Sequence, residues 1–301
     1  MSKVIVIGGG FTGLYYAYKN PEAVVLSDKT DIVQKTFKKS DDAYIFLRYH
    51  ILTKKLLDEL KISYKLTNFT ISYYYNGAVH KHPTPEAVYN YHMKSYGIPP
   101  VNLFQGYDIN SYKIFTAKYS EVISALVERL QDRIIYERAT GIIIKDKIVT
   151  TASKAYDYDL LMTTIPLPIT CQLTNIPELI ELSAYLKAVP IGIYYSANLP
   201  EESSSQFKTN QVLNMDPDSD VLRWVKAADT DEYIAEKLML KANDSPDLYL
   251  KYGKIIPTEH TAEILEVLKS NSIIPVGRFA TWTPHYDTED AIKEINYMLN
   301  G

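Results

Sequence analysis

The stretch VIVIGGGFTGLYYAY, residues 4–18, constrains the fold more than any other part of this 301-residue chain. Its four consecutive apolar residues predict a parallel strand that is buried on both faces. Glycines at positions 8, 10 and 13 then form a glycine loop of the pattern G-x-G-x-x-G, directly before an apolar helical stretch. A strand, a glycine-rich turn and a helix in this order predict a βαβ unit that binds a dinucleotide.

Each residue of this glycine loop has a predicted role in holding the dinucleotide. Gly8 permits the tight turn, Gly10 lets backbone amides approach the pyrophosphate, and Gly13 allows the helix to pack closely on the strand. Phe11 and Thr12 open the helix, whose unpaired N–H groups are expected to face the phosphates.

A second predicted strand, over residues 23–26, ends at the residues expected to bind the ribose. Asp28 lies about 20 residues after Gly8, which is the usual spacing of a carboxylate that hydrogen-bonds ribose hydroxyls. Ser27 is the alternative, because the ends of predicted strands shift by one or two residues.

The parallel sheet does not continue at once after this opening unit. A polar segment over 29–43 and a hairpin with Asn76-Gly77 at its turn interrupt it, and suitable strands return only at 160–164 and 272–280. A nicotinamide enzyme would run on through further βαβ units, so the interruption favours a flavoprotein with an inserted substrate domain. The other predicted elements are helices over 52–61, 83–97, 119–131 and 287–299, strands over 191–197 and 221–227, turns at Gly141 and Lys145-Asp146, and a loop over 200–220.

The segment around residue 280 resembles a known flavin-binding motif. GRFA at 277–280, followed by Asp287 and DAI at 290–292, is similar to the closing flavin-binding segment of UDP-galactopyranose mutases. Those enzymes belong to the amine oxidase and protoporphyrinogen oxidase superfamily of FAD proteins. Three further stretches resemble other parts of the same proteins, at 46–57, 156–168 and 221–237.

The resemblance implies an α/β fold with two interleaved domains. One is a Rossmann-like FAD-binding domain, a parallel sheet with helices on both faces, and the other is a mixed α+β substrate domain. The expected FAD-binding domain comprises residues 1–45, 112–168 and 257–301, and the expected substrate domain comprises residues 46–111 and 169–256.

The resemblance also implies a second set of FAD contacts. Gly277 would lie against the ribityl chain with its N–H near the flavin, and Arg278 would place positive charge at the pyrophosphate or the isoalloxazine. A cation there is physically reasonable because the reduced flavin is an anion. The predicted strand at 272–280 would bury Arg278, and the alternative to a cofactor contact is a structural salt bridge with a residue such as Asp287.

Four residues are candidates for contact with the substrate: Arg48, His50, Arg223 and Trp282. The chain has only 6 arginines, and the guanidinium group suits recognition of carboxylates and phosphates. Each candidate also has a structural alternative, which is an ion pair for the arginines and an interior position for His50.

Composition excludes several classes of protein and site. The net charge of −4 predicts no nucleic-acid partner, and no apolar stretch reaches the ~20 residues of a transmembrane segment. Cys171 is the single cysteine and is expected to be a buried, small apolar residue. His80 and His82 alternate along a predicted strand, but no third ligand follows at metal-site spacing, so no metal is expected. With no signal peptide recognised, we expect a cytoplasmic protein.

The function predicted from these features is that of an FAD-dependent oxidoreductase, which acts on a small-molecule substrate by hydride transfer to flavin N5. One alternative is a redox-neutral flavin-dependent mutase of the UDP-galactopyranose mutase type, although a full arginine and tyrosine set for the substrate phosphates is not found in the sequence. The other alternative is a nucleotide- or flavin-binding protein without turnover. The sequence specifies no catalytic base, electron acceptor or oligomeric state.

Overall fold

The computed structural model describes residues 3–28, 44–48, 51–100, 111–197, 209–226, 232–239, 245–284 and 286–300. For residues 44–48 it describes the backbone alone. The polar segment predicted at 29–43, His50 and the side chain of Arg48 therefore lie outside the described residues.

The described residues form seventeen strands and eight helices, joined by loops and one 3₁₀ turn at Gln131–Arg133. In chain order the strands are β1 (Val4–Ile7), β2 (Ala23–Leu26), β3 (Tyr44–Arg48), β4 (Lys65–Tyr75), β5 (Ala78–His80), β6 (Ser111–Lys118), β7 (Ile134–Ile135), β8 (Ala139–Ile143), β9 (Ile148–Thr151), β10 (Ala155–Asp157), β11 (Leu160–Thr163), β12 (Ala188–Ala197), β13 (Gln211–Asn214), β14 (Val221–Lys226), β15 (Tyr233–Leu238), β16 (Leu248–Ile255) and β17 (Ile273–Pro275). The helices are α1 (Phe11–Lys19), α2 (Ile51–Leu60), α3 (Pro85–Tyr96), α4 (Tyr119–Leu130), α5 (Leu167–Thr174), α6 (Pro177–Ser183), α7 (His260–Ser270) and α8 (Thr288–Asn300).

A five-stranded parallel sheet carries the glycine loop, with the strand order β17-β11-β1-β2-β7. β1 is central, and Ile5 pairs with Leu161 on one side and Val24 on the other. All four residues of β1 are buried, as its continuous apolar sequence predicts. The predicted return of the chain to this sheet near residue 160 is confirmed, because β11 lies between β1 and β17.

Helices cover both faces of the parallel sheet. Because successive strand residues point to opposite faces, Val4 and Val6 join a core with α1, α2, α4 and α8, whereas Ile5 and Ile7 join a core with α5, α6 and α7. The Asn296 side chain of α8 donates to the Tyr15 hydroxyl of α1 at 2.6 Å. The expected α/β fold with helices on both faces is confirmed.

A nine-stranded mixed sheet forms the second part of the molecule, in the order β16-β12-β15-β14-β13-β4-β6-β3, with β5 paired to β4. The first half of β4 pairs with β6 and its second half pairs with β13, so this one strand joins two ladders. β6 pairs with β3 and β4, so residues 112–118, expected in the FAD-binding domain, lie in the mixed sheet. The other domain boundaries stay a prediction. A three-stranded antiparallel sheet, β10-β9-β8, completes the fold.

Several predicted elements agree with the structure within one or two residues. The helices predicted at 52–61, 119–131 and 287–299 correspond to α2, α4 and α8. The hairpin turn has positive φ at both Asn76 (53°) and Gly77 (74°), as a type I′ turn requires. Among the described residues, no helix is long and apolar enough to cross a membrane.

Three predictions about local structure are wrong. The strand predicted at 272–280 ends at Pro275, because Gly277 has a φ of +92° and its carbonyl accepts the N–H groups of Ala280 and Thr281 in a turn. Gly141 lies inside β8, at an irregularity of its pairing with β9, and not at a turn. The loop predicted at 200–220 contains β13, which pairs with β4 and β14.

Candidate dinucleotide and substrate site

Gly8 and Gly13 are required by close packing within the glycine loop. Gly8 has a φ of +115°, and a Cβ at this position would lie 2.4 Å from the Thr164 hydroxyl oxygen. A Cβ at Gly13 would lie only 2.0 Å from the carbonyl oxygen of Gly8. A larger residue at Gly13 would require the backbone to move, and at Gly8 it would be opposed by the positive φ and by the Thr164 side chain.

Gly10 has the opposite environment, because a Cβ there would have no heavy atom within 4 Å. It is the residue before α1 and, as a glycine, has no side chain to cap that helix. Of the N–H groups in the first turn, that of Phe11 is bonded to the Tyr119 hydroxyl, and a methyl group at Gly10 would begin to fill the open space beside the turn. A pyrophosphate fits this arrangement, since a helix N-terminus with unpaired N–H groups binds anions.

Ser27 and Asp28, the two alternative candidates for binding the ribose, have different environments at the end of β2. The Ser27 hydroxyl is 5% exposed and accepts the Gly9 N–H at 3.1 Å, so this side chain holds the glycine loop against β2. Asp28 follows on the partly exposed side of the same strand end. Asp28 is therefore the better placed candidate for the ribose, and this role stays a prediction.

The turn after β17 lies directly on the start of α1. A Cβ at Gly277 would lie 3.0 Å from the Thr12 hydroxyl oxygen and 3.2 Å from the Thr12 methyl carbon. The Val276 N–H donates to the Thr163 carbonyl at 2.9 Å, which fixes the turn to the end of β11. The structure thus joins the glycine loop to the second segment that the sequence singled out.

Tyr286 connects this turn to the last described helix. Its hydroxyl contacts the Gly277 N–H and donates to the Glu294 carboxylate of α8. Burial and the neighbouring carboxylate raise the pKa of Tyr286 above its usual value. The phenol therefore stays neutral and acts as a hydrogen-bond bridge, while the predicted approach of Gly277 to a flavin stays untested.

Arg278 lies in the turn and not on a buried strand, which corrects the predicted placement. Its Nη2 atom donates to the Gly253 carbonyl of β16 at 3.1 Å. Its Nε atom is buried and has no hydrogen-bond partner among the described residues. Burial lowers the pKa of this guanidinium below its usual value. Arg278 therefore reaches from the nucleotide half to the mixed sheet with part of its donor capacity unused.

Arg223 forms an ion pair with Glu236 across β14 and β15, where the two residues are register partners. Its side chain keeps 35% of its surface accessible, against 16% for Glu236. Burial alone would lower the pKa of Arg223, but the adjacent carboxylate raises it above its usual value. Of the two roles considered for this arginine, the structure shows the ion pair, and contact with substrate stays a prediction.

Lys254 and Tyr96 complete a group of interacting side chains that sequence analysis missed. The Lys254 ammonium of β16 lies 5.5 Å from the centre of the Tyr96 ring, at the end of α3. Lys254 also interacts electrostatically with Glu236, Arg223 and Arg278. We call Arg223, Glu236, Lys254 and Arg278 the cation cluster. The sequence signal for Lys254 was weak, because a lysine in a strand usually faces solvent.

Trp282 is a buried residue. It is 2% exposed and has a backbone φ of 54°, and its indole packs edge-on against Tyr252 with 5.7 Å between ring centres. Its Nε1 has no hydrogen-bond partner among the described residues. The structure thus places Trp282 in the core. Its expected contact with substrate stays a prediction, as do those of Arg48 and His50.

The residues considered for other chemistry have ordinary structural roles. Cys171 is fully buried, and burial raises the pKa of its thiol to about 12, so it is unreactive at neutral pH. His80 stacks on Tyr75 with ring centres 4.0 Å apart. Within the described part of the chain, no group of three or more histidine, cysteine or acidic side chains is placed to hold a metal ion.

The parallel sheet with its glycine loop and the mixed sheet beside it form a fold that is shared with several solved structures. The fold is similar to that of reduced UDP-galactopyranose mutase, with a TM-score of 0.72, 13% identity, and coverage of 100% of this chain and 96% of that one. A fatty acid isomerase from P. acnes that produces CLA gives a TM-score of 0.65 at 9% identity, with coverage of 99% and 98%. A putrescine oxidase variant gives 0.63 at 9% identity, with coverage of 99% and 98%.

These similarities concern the fold, because the identities are 13% or lower. By sequence, the chain matches no family model and no curated protein. The predicted resemblance to the amine oxidase and mutase superfamily is thus confirmed as a shared three-dimensional fold over the whole chain.

Proposed function

We propose that this chain is a flavoenzyme that binds FAD between the glycine loop and the turn at Gly277. The observation that carries the proposal is the contact of the Gly277 turn with Thr12, which brings two segments with separate nucleotide signatures to one place. In this arrangement the amides around Gly10 hold the pyrophosphate, Asp28 holds the ribose, and Gly277 and Arg278 lie toward the flavin.

The proposed reaction is oxidation of a small-molecule substrate by hydride transfer to flavin N5. Bound FAD would supply the hydride acceptor, and the protein's part is to bind, orient and shield the substrate. Arg278 supplies a fixed positive charge where the two halves meet, and the mixed sheet supplies the substrate-facing wall. No side chain among the described residues is assigned as a general base.

A redox-neutral reaction of the mutase type is the second candidate. The fold similarity to UDP-galactopyranose mutase, with a TM-score of 0.72, favours it. The pairing of Arg223 with Glu236 weighs against it, because that guanidinium is then less able to clamp substrate phosphates. A binding protein without turnover is the third candidate. An assay for turnover of substrate distinguishes it from the other two.

The test is an absorbance spectrum of the purified chain before and after dithionite, followed by denaturation. We expect flavin bands that bleach on reduction, and release of free FAD on unfolding. Gly10→Ala is the matched variant: a methyl group in open space leaves the fold intact but lowers FAD affinity by about tenfold or more, because it meets the pyrophosphate.

A colourless protein that cannot be reconstituted with FAD but binds NAD(H) would contradict the proposal. If FAD binds, anaerobic bleaching by a screened substrate indicates oxidation. Conversion of a substrate to an isomer, without net change in flavin redox state, indicates the mutase-type alternative.

A further inference from the structure

The cation cluster brings together side chains from four separate segments of the chain. Arg223 and Glu236 come from adjacent strands, Lys254 from the edge strand β16, and Arg278 from the turn next to the glycine loop. Gly253 ties two of them together, because its carbonyl accepts Arg278 while Lys254 is the next residue. The cluster therefore lies at the junction of the nucleotide half and the mixed sheet.

The charges of this cluster do not balance. When all four groups are ionised, three cations face one carboxylate, and Glu236 already pairs with Arg223. Tyr91 and Tyr96 add no negative charge, because burial raises the pKa of each phenol. All four residues are only partly exposed, and surplus positive charge in such surroundings is unfavourable unless an anion compensates it. The Nε atoms of both arginines are also buried without partners among the described residues.

Lys94 is a partly buried lysine of the same fold whose role is structural. Its ammonium donates to the carbonyls of Asn214 and Asp216 at 2.7 Å each, and to that of Val221 at 3.0 Å. All three of its protons are thus used to hold one loop to α3. Within the described residues, the Lys254 ammonium has neither an ion pair nor a hydrogen bond; it lies over the Tyr96 ring and interacts with Glu236 only at longer range. A purely structural role does not explain Lys254.

We propose that Lys254 and Arg278 bind an anionic group of the substrate, a carboxylate or a phosphate. Lys254 provides the compact charge and Arg278 the unused donor edge, while Glu236 keeps Arg223 in place beside them. The surplus charge disfavours protonated amines as substrates. The inference rests on the proposed function only in placing the substrate at this junction.

The test is a series of one-ring probes that differ in charge: phenyl phosphate, benzoate, benzamide and benzylamine, of which benzoate and benzamide have the same shape. Binding to the full chain is measured by calorimetry, with FAD bound and again without it. We expect benzoate and phenyl phosphate to bind about tenfold or more tightly than benzamide, and benzylamine to bind least. Equal binding of benzoate and benzamide would overturn the proposal.

Lys254→Met and Lys251→Met form the matched pair of variants. Lys251 lies on the same strand but is exposed, with its ammonium 5.2 Å from the Tyr252 ring centre. Lys254→Met should reduce the preference for benzoate over benzamide by about tenfold, and Lys251→Met should leave it unchanged. Lys254→Met should also raise the Tm of the protein without anion, because a partly buried charge without an ion-pair partner is removed. A full preference for benzoate in Lys254→Met would refute the assignment.

The reduced flavin is the other anion that this charge could serve. In that case Lys254→Met would lower the flavin reduction potential while the preference for benzoate stayed intact, and the substrate proposal would be wrong. If the chain holds no FAD, the proposed function fails, but the probe series without FAD still decides whether the cluster binds anions.

Discussion

The glycine loop and the cation cluster are adjacent in space but are built in opposite ways. The loop comes from six consecutive positions, 8–13, and its geometry depends on backbone and on missing side chains. The cluster comes from four segments, and its chemistry depends on charged side chains. A site made of backbone accepts few substitutions, whereas a side-chain site can change its ligand by single replacements. In the proposed function, the cofactor is thus held mainly by backbone and the substrate mainly by side chains.

The largest effect on stability should come from the loop, at Gly13→Ala. The new Cβ would lie 2.0 Å from the Gly8 carbonyl oxygen, so helix α1 must move away from β1. Overpacking of this kind costs about 3 kcal/mol of the free energy of unfolding. Denaturant unfolding of the FAD-free proteins measures the loss, with Gly10→Ala as the control that should stay within about 0.5 kcal/mol of wild type. Equal stabilities of the two variants would mean that the loop is not tightly packed.

The second-largest loss of stability should come from the cation cluster, in the variant Glu236→Gln. This change leaves three cations without their carboxylate, and unpaired buried charge typically destabilises by several kcal/mol. Because about a third of the Arg223 side chain stays accessible, we expect a smaller loss, of roughly 2–3 kcal/mol. Thermal and denaturant unfolding at low salt provide the measurement.

The double variant Arg223→Met with Glu236→Gln controls for the loss of packing in that experiment. Removing both partners should restore most of the stability, since no uncompensated pair member remains. A double variant as unstable as the sum of its single changes would show that the two residues do not act as a pair.

The smallest effect should come from Ser27→Ala. The substitution leaves the buried Gly9 N–H without its 3.1 Å acceptor, which costs about 1 kcal/mol. If the hydroxyl fixes the glycine loop, the binding free energy of FAD should weaken by a similar amount. Unchanged stability would mean that another group, or water, accepts this N–H.

The predictable part of the molecule is the part whose geometry is local. β1, the glycine loop and α1 follow from residues 4–18, because burial on both faces and a tight turn each leave a direct pattern. β11 was predicted for the same reason, as a continuous apolar run. The Asn76-Gly77 turn was also predicted, since both positions need positive φ.

The parts that escaped prediction depend on distant partners. β13 lies in a polar segment, and its strand conformation comes from pairing with β4, about 140 residues away. The strand expected through Arg278 stops because Gly277 turns the chain onto Thr12, a contact that no local pattern encodes. Lys254 differs from Lys251 only in which face of β16 it occupies, and only the tertiary structure decides that one of them meets two arginines.

The strand order of the parallel sheet has a consequence for how the chain folds during synthesis. β1 is made first, yet its partner β11 lies far along the chain: 156 residues separate Lys3 from Asp159, to which it is bonded. At 5–20 residues per second, the ribosome needs roughly 8–30 s to supply that partner. Until then the VIVI strand has an unpaired apolar edge, which is a site for aggregation or for capture by a chaperone. The segment that begins the proposed cofactor site is therefore one that the nascent chain leaves without its partner strand for many seconds.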